Sequence, residues 1–140
     1  MSLVLVLDCG ATNLRAIAVD PEGQIVASQY LKNETVTGLT GVDHHIWDFE
    51  QIWQKLCQCA KSVITQVGAE NVVALTVTTF GVDGAPFDEN EQQIYPIISW
   101  KCPRTIETMK QVEKDIDRVS LYQVNGIGDY SFNTLTNSNG

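Results

Sequence analysis

Apolar positions fall into short unbroken runs at the start of this chain and into a three-and-four spacing further on. Leu3-Val4-Leu5-Val6-Leu7 is apolar at every position, the pattern of a central strand buried on both faces. Gly10, Thr12 and Asn13 supply a tight turn, and Leu14 to Val19 resumes a strand. Asp20-Pro21-Glu22-Gly23 marks a second turn, because Pro and Gly set the backbone angles that reverse a chain. Gln24 to Leu31 makes a third strand, so the opening residues predict an antiparallel meander.

The pattern then changes. Residues 32 to 47 are polar, contain Gly38, Gly41 and His44-His45, and read as a connecting loop. Asp48 with Gln51 three places on resembles a capping box. The helix it opens carries Phe49, Ile52, Trp53, Leu56, Ala60, Val63, Ile64 and Val67, a single apolar stripe for packing on a sheet, and stops at Gly68. Val72 to Val77 is β-branched and apolar, so the helix is expected to cross over to a strand parallel to the first.

Thr78-Thr79-Phe80-Gly81-Val82-Asp83-Gly84 follows as a glycine-flanked loop at a strand end. Pro86 to Pro96 reads as a short hairpin about Asp88-Glu89-Asn90, and Ile97 to Trp100 as extended chain. Pro103 suits the first position of a helix whose apolar face is Ile106, Met109, Val112 and Ile116. A second short helix covers Val119 to Val124 and is stopped by Gly126 and Gly128. Ser131 to Leu135 reads as the opening of a further helix, and Thr136 to Gly140 as a polar tail. No internal repeat is visible. The order β-β-β-α-β predicts an α/β domain with a mixed sheet, an order found in the ribonuclease H-like and actin-like group of folds.

Composition narrows the partners more than the fold. The 140 residues suffice for one core without disulfides or metals. A net charge of -8 with nine scattered Lys and Arg argues against a nucleic-acid partner, whose phosphates call for clustered cations. Cys9, Cys57, Cys59 and Cys102 match neither a redox pair nor a zinc knuckle and read as free thiols in a reducing cytosol. The apolar run at Leu3 to Leu7 is too short and lacks the basic start of a signal peptide. No stretch approaches the ~18 apolar residues of a membrane span, so a cytoplasmic location is expected.

The strongest chemical signal is Asp8-Cys9-Gly10-Ala11-Thr12-Asn13-Leu14-Arg15, between two predicted strands. Glycine lets successive backbone N–H groups turn toward a phosphate oxygen, and Thr12 and Asn13 add donors. Asp8, at the end of a buried strand, is placed to hold the water shell of a Mg²⁺ ion on ATP. A plain hairpin turn also favours Asp and Gly. A buried strand-end carboxylate without partner or ion is costly, however, which tilts the reading toward function.

The motif Asp-x-Gly-x-Thr-x-x-Arg after a first strand resembles the first phosphate motif of the FGGY carbohydrate kinases. The resemblance runs on through Thr78 to Gly84, through Tyr95-Pro96-Ile97-Ile98-Ser99-Trp100-Lys101-Cys102-Pro103-Arg104-Thr105, and through Ser131 to Leu135. These segments are most similar to family members acting on L-fuculose. The resemblance implies an incomplete N-terminal kinase domain over residues 1–135, with residues 136–140 departing from the family pattern. It implies ATP and Mg²⁺ as cofactors, with Asp8, Gly10, Thr12, Asn13 and Arg15 at the phosphates and Asp8 reaching the metal through water. It places Thr79, Phe80, Gly81, Asp83, Trp100, Lys101 and Arg104 at the sugar. Within that pocket Asp83 would accept bonds from two hydroxyls, while Trp100 or Phe80 would cover an apolar face. Alternatively Asp83 is a turn carboxylate, Trp100 a core residue, and Lys101 and Arg104 solvated charges.

The family's catalytic base is an aspartate in a Gly-His-Asp context, and nothing here corresponds to it, since Asp43 precedes His44 and His45. The implied reaction is ATP-dependent phosphorylation of a ketose, L-fuculose to L-fuculose 1-phosphate, for which this chain alone lacks the base and the second lobe. The alternatives are a truncated, non-catalytic fragment that binds sugar or a partner and self-associates, and a ribonuclease H-like nuclease. The nuclease would need more carboxylates converging on Asp8.

Overall fold

The computed structural model describes residues 1–128, 130 and 131. In chain order the elements are β1 (Leu3–Cys9), β2 (Asn13–Val19), β3 (Ile25–Lys32), β4 (Val36–Thr37), β5 (His45–Trp47), α1 (Phe49–Val67), β6 (Val72–Thr79), β7 (Ile97–Ile98), α2 (Thr105–Asp115) and α3 (Arg118–Asn125). A single 3-10 turn at Ala69–Asn71 joins α1 to β6. No helix among the described residues is long and apolar enough to cross a membrane. The chain divides into two compact units, one of Met1–Glu34 with Asp48–Gly81, the other of Thr35–Trp47 with Val82 onward.

The first unit is a four-stranded sheet in the order β3-β2-β1-β6. β1 pairs antiparallel with β2 and parallel with β6, and β2 pairs antiparallel with β3. The expected meander and crossover are both present, and the sheet is mixed. Asp48 caps α1 by accepting a bond from the Gln51 backbone N–H at 3.0 Å, which satisfies one of the orphan donors of the first turn. Gly68 ends the helix with φ 85°.

The buried face of α1 is Ile52, Leu56, Cys59 and Val63. At about 100° per residue these four fall within one stripe roughly 60° wide. Phe49 and Trp53 fall to one side of it, and both are half exposed. The apolar face is therefore narrower than the spacing suggests. It packs across β1, β2 and β3, over a floor of Leu3, Leu5, Leu7, Leu14, Ala16 and Ala18. β1 is buried only on that side: Val4 on the opposite face is 36% exposed. β6 is more open still, with Val73, Leu75 and Val77 exposed.

The second unit corrects the reading of residues 32 to 47 as a loop. β4, β5 and β7 form a small sheet in the order β4-β5-β7, with Ile46 opposite Ile98 and Trp47 opposite Ile97. Strands of two and three residues are too short to show a period, and the partner of β5 lies about fifty residues away. The expected hairpin is present: Phe87 bridges Gln93, and the Asp88 carboxylate accepts from the Asn90 and Gln92 backbone N–H groups. α2 begins at Thr105, not at Pro103. Pro103 belongs to the preceding turn, in which Thr105 Oγ1 donates to the Cys102 carbonyl at 3.1 Å. α3 lies where expected and Gly126 ends it. The helix opening expected at Ser131 to Leu135 and the tail 136–140 lie outside the described residues, apart from Ser131.

Candidate functional site

The turn between β1 and β2 is closed by a Gly10 N–H bond to the Asn13 carbonyl at 3.0 Å. Only glycine fits there, because a Cβ on Gly10 would lie 2.6 Å from that same oxygen. The turn is braced from the end of β3. The Asn33 backbone N–H donates to the Thr12 carbonyl at 2.8 Å, and its side-chain Nδ2 donates to the Gly10 carbonyl at 2.9 Å. Asn33 is buried, which holds both bonds away from competing water. Thr12 is exposed and Asn13 half buried.

Asp8 and Arg15 stand opposite each other in the β1–β2 register. Arg15 donates to Asp8 Oδ2 through Nε at 2.8 Å and also through Nη2. The strand-end carboxylate thus has its counter-charge, and Oδ1 lies outside the pair. On the other side of β1, Asp8 is level with Thr78 and Cys9 with Thr79. The Phe80 N–H donates to the Cys9 carbonyl at 3.3 Å. Burial pushes the Cys9 thiol up, partly offset by its bond with Thr79 and reinforced by the Asp8 charge.

The turn at residues 10–13 and the segment Thr79-Phe80-Gly81 therefore leave the sheet at the same end, beyond the carboxyl ends of parallel strands β1 and β6. That is the end at which open α/β sheets bind ligands. Among the described residues no group of three or more His, Cys, Asp and Glu side chains is arranged to hold a metal.

In the second unit Asp83 is held by Trp47, whose indole Nε1 donates to Oδ2. Its Oδ1 is buried and has no partner among the described residues. Burial raises the Asp83 carboxyl, against the hydrogen bonds from the Trp47 side chain and the Trp100 backbone. Trp100 is 37% exposed, so it is not a core residue. The Lys101 ammonium lies 5.5 Å from the Trp47 ring centre and 5.6 Å from that of Trp100, within cation–π range.

Arg104 is not a solvated charge. Its Nη1 donates to the Tyr95 hydroxyl at 3.0 Å, its Nε contacts Cys102 Sγ at 3.2 Å, and its Nη2 is buried with no partner among the described residues. This unit therefore offers one buried acceptor and one buried donor with unused capacity. Such groups are rare in native proteins and call for an explanation.

Three contributors escaped the sequence reading: Asn33, Trp47 and Tyr95. Asn33 is one polar residue among many after a strand. Trp47 stood in a segment read as loop, although a large aromatic residue in an otherwise polar stretch was a usable signal.

Comparison with known proteins bears on the family and the fold. Residues 3–137 match the N-terminal domain of the FGGY family of carbohydrate kinases. The chain is 57% identical over 140 residues to an L-fuculokinase of Haemophilus influenzae, covering 96% of this chain and 30% of the relative. It is 42% identical over 133 residues to the L-fuculokinase of Escherichia coli K12, covering 95% and 28%. The chain thus spans about three-tenths of these relatives' length.

Among solved structures, a glycerol kinase of Plasmodium falciparum with ADP superposes with a TM-score of 0.79 at 15% identity, over 98% of this chain and 28% of that one. A xylulose kinase of Bifidobacterium adolescentis gives 0.76 at 18% identity, over 97% and 28%. At such identities the likeness establishes the fold, that of the actin-like ATPase group. With residues 3–137 of its 140 matched to the family's N-terminal domain, this chain belongs to the FGGY family of carbohydrate kinases.

Proposed function

We propose that this chain is the N-terminal portion of an ATP-dependent kinase that converts the ketose L-fuculose to L-fuculose 1-phosphate. The observation that carries the reading is similarity to L-fuculokinases along nearly all of the chain. MgATP supplies the phosphoryl group when bound. The residues present fit it: Thr12, Asn13 and Arg15 offer donors for phosphate oxygens on a braced turn, and Asp8 Oδ1 is outside its ion pair and suits a metal-bound water. The pairing of Asp8 with Arg15, a donor, favours this over a two-metal nuclease, which would gather carboxylates there.

On the sugar side, Asp83 accepts from a hydroxyl through its unpartnered Oδ1, and the exposed Trp100 covers an apolar face. Lys101 and Arg104 supply donors. Thr79, Phe80 and Gly81 belong to the same reading, at the sheet end that carries the phosphate turn.

Phosphoryl transfer depends on clamping and orienting the transferred group. One side of that clamp and no general base leave the isolated chain inactive. It is also expected to self-associate, because Val73, Leu75 and Val77 are exposed on a strand without charge or proline. Elution that does not vary with concentration would count against that.

The test of function is to graft this chain in place of the matching segment of the Haemophilus influenzae relative. ADP release is then followed with L-fuculose, L-rhamnulose, xylulose and glycerol. The graft is expected to turn over L-fuculose best, and the isolated chain none of them. A preference for another substrate, or turnover by the isolated chain, would sink the reading.

A further inference from the structure

We infer that Trp47 is a positioning residue for the substrate: its indole N–H holds Asp83 by one carboxylate oxygen, so that the other, buried and unpartnered among the described residues, is the one left to accept from a sugar hydroxyl. This rests on the sugar-site reading of Asp83 given above. Trp47 ends β5, is anchored by pairing with Ile97 on β7, and is 1% exposed. Its Nε1 can only donate, and it donates to Asp83 Oδ2. The two oxygens of Asp83 are thereby made unequal, because Oδ1 is buried and without a partner among the described residues. A free carboxylate could rotate to offer either oxygen, and one tied at Oδ2 by Trp47, with the Trp100 backbone also bonded to the group, cannot. Aspartate therefore offers substrate one fixed acceptor oxygen, a narrower role than a carboxylate bridging two hydroxyls through both.

The ring face of Trp47 has a second task. Lys101 Nζ stands 5.5 Å from it and 5.6 Å from the Trp100 ring. One side chain thus fixes an acceptor with its edge and steadies a cationic donor with its face. A core aromatic with only a packing role would not need its N–H aimed at a buried carboxylate, and phenylalanine would serve as well.

The test uses the three indole N–H signals, from Trp47, Trp53 and Trp100, in nuclear magnetic resonance spectra of the 140-residue chain. Trp47→Phe identifies the Trp47 signal by its loss. Asp83→Asn reads the same contact from the other side and changes no core residue, should Trp47→Phe fold poorly. Asp83→Asn is expected to move the Trp47 signal upfield, since a neutral amide oxygen accepts more weakly than a carboxylate, and to leave that of Trp53 in place. L-fuculose is expected to shift the Trp47 and Trp100 signals, and Trp47→Phe to weaken its binding about tenfold.

A Trp47 signal indifferent to Asp83→Asn overturns the positioning role, even if L-fuculose still moves Trp100. If Asp83→Asn moves the signal but L-fuculose moves none of the three, the sugar reading itself falls and the inference with it. Undiminished binding by a folded Trp47→Phe variant would also overturn it.

Discussion

Gly10→Ala tests the physical claim on which the proposed role of the β1–β2 turn depends. The added carbon would stand 2.6 Å from the Asn13 carbonyl oxygen and 3.7 Å from its carbon. A carbon and an oxygen rest no closer than about 3.3 Å, so the turn must open by roughly 0.7 Å. The neighbour is backbone and cannot rotate aside. The bond from the Gly10 N–H to that oxygen is lost first, and the two bonds from Asn33 to the Gly10 and Thr12 carbonyls are stretched. Each is worth about 1 kcal/mol net, so losing one and weakening two costs about 1–3 kcal/mol. Alanine also restricts the unfolded chain, which returns about 0.4–1 kcal/mol without cancelling the loss.

Urea unfolding followed by tryptophan fluorescence measures this. With a slope of about 1–3 kcal/mol per molar, the midpoint is expected to fall by about 1 M. Gly84→Ala is the control, because nothing lies within 4 Å of the carbon it adds, and its effect should stay within about 0.5 kcal/mol. If the two variants unfold within about 0.2 M of each other, the turn is not held as described, and its fitness for phosphate loses its structural ground.

Leu56→Ala should cost about 2–5 kcal/mol, whereas Trp53→Ala, at a half-exposed position one turn away, should cost under about 1 kcal/mol; equal losses would mean that the stripe of α1 is misassigned. Because burial raises the Asp83 carboxyl, the folded state holds its proton more tightly than the unfolded state. That stabilisation is therefore present at low pH and lost as pH rises from about 4 through the folded value. Asp83→Asn should accordingly gain stability relative to the parent over that rise, and a difference in melting temperature constant with pH would refute the assignment. In the folded chain one thiol of four, Cys57, should react fast with a disulfide reagent, since Cys9, Cys59 and Cys102 are buried and burial raises the first two further; two or more fast thiols would contradict the packing.

The first unit was legible because its signals are local. A strand of unbroken apolar residues, turns marked by Gly and Pro, and a capped helix with one stripe each declare themselves within a window of about ten residues. β1, β2, β3, α1 and β6 appear where those signals place them. Burial was less legible, because it depends on what covers each face. Val73, Leu75 and Val77 have the composition of an interior strand, yet they are exposed here. Phe49 and Trp53 are as apolar as Ile52, and a rotation of roughly 60–100° from it about the helix axis decides that they are not covered as it is.

The candidate residues of the two units divide along the same line, which explains why those of the first could be named in full and those of the second could not. Asp8, Gly10, Thr12, Asn13 and Arg15 lie within eight residues, so the turn chemistry could be read from adjacent letters. Asn33, which braces the turn, comes into place only because β3 runs antiparallel to β2 and returns its far end to residue 12. In the second unit the contact that holds Asp83 is not local. Trp47 reaches Asp83 across thirty-six positions, and the small sheet that fixes its backbone joins segments about fifty residues apart. Resemblance nominated Asp83, Trp100 and Lys101 for the sugar, since each lies in a motif read from adjacent letters. It could not supply Trp47, because a residue that acts through another leaves no spacing rule of its own. The support of a site is thus harder to read from sequence than its contacts, and the Trp47–Asp83 bond is where that difference can be measured.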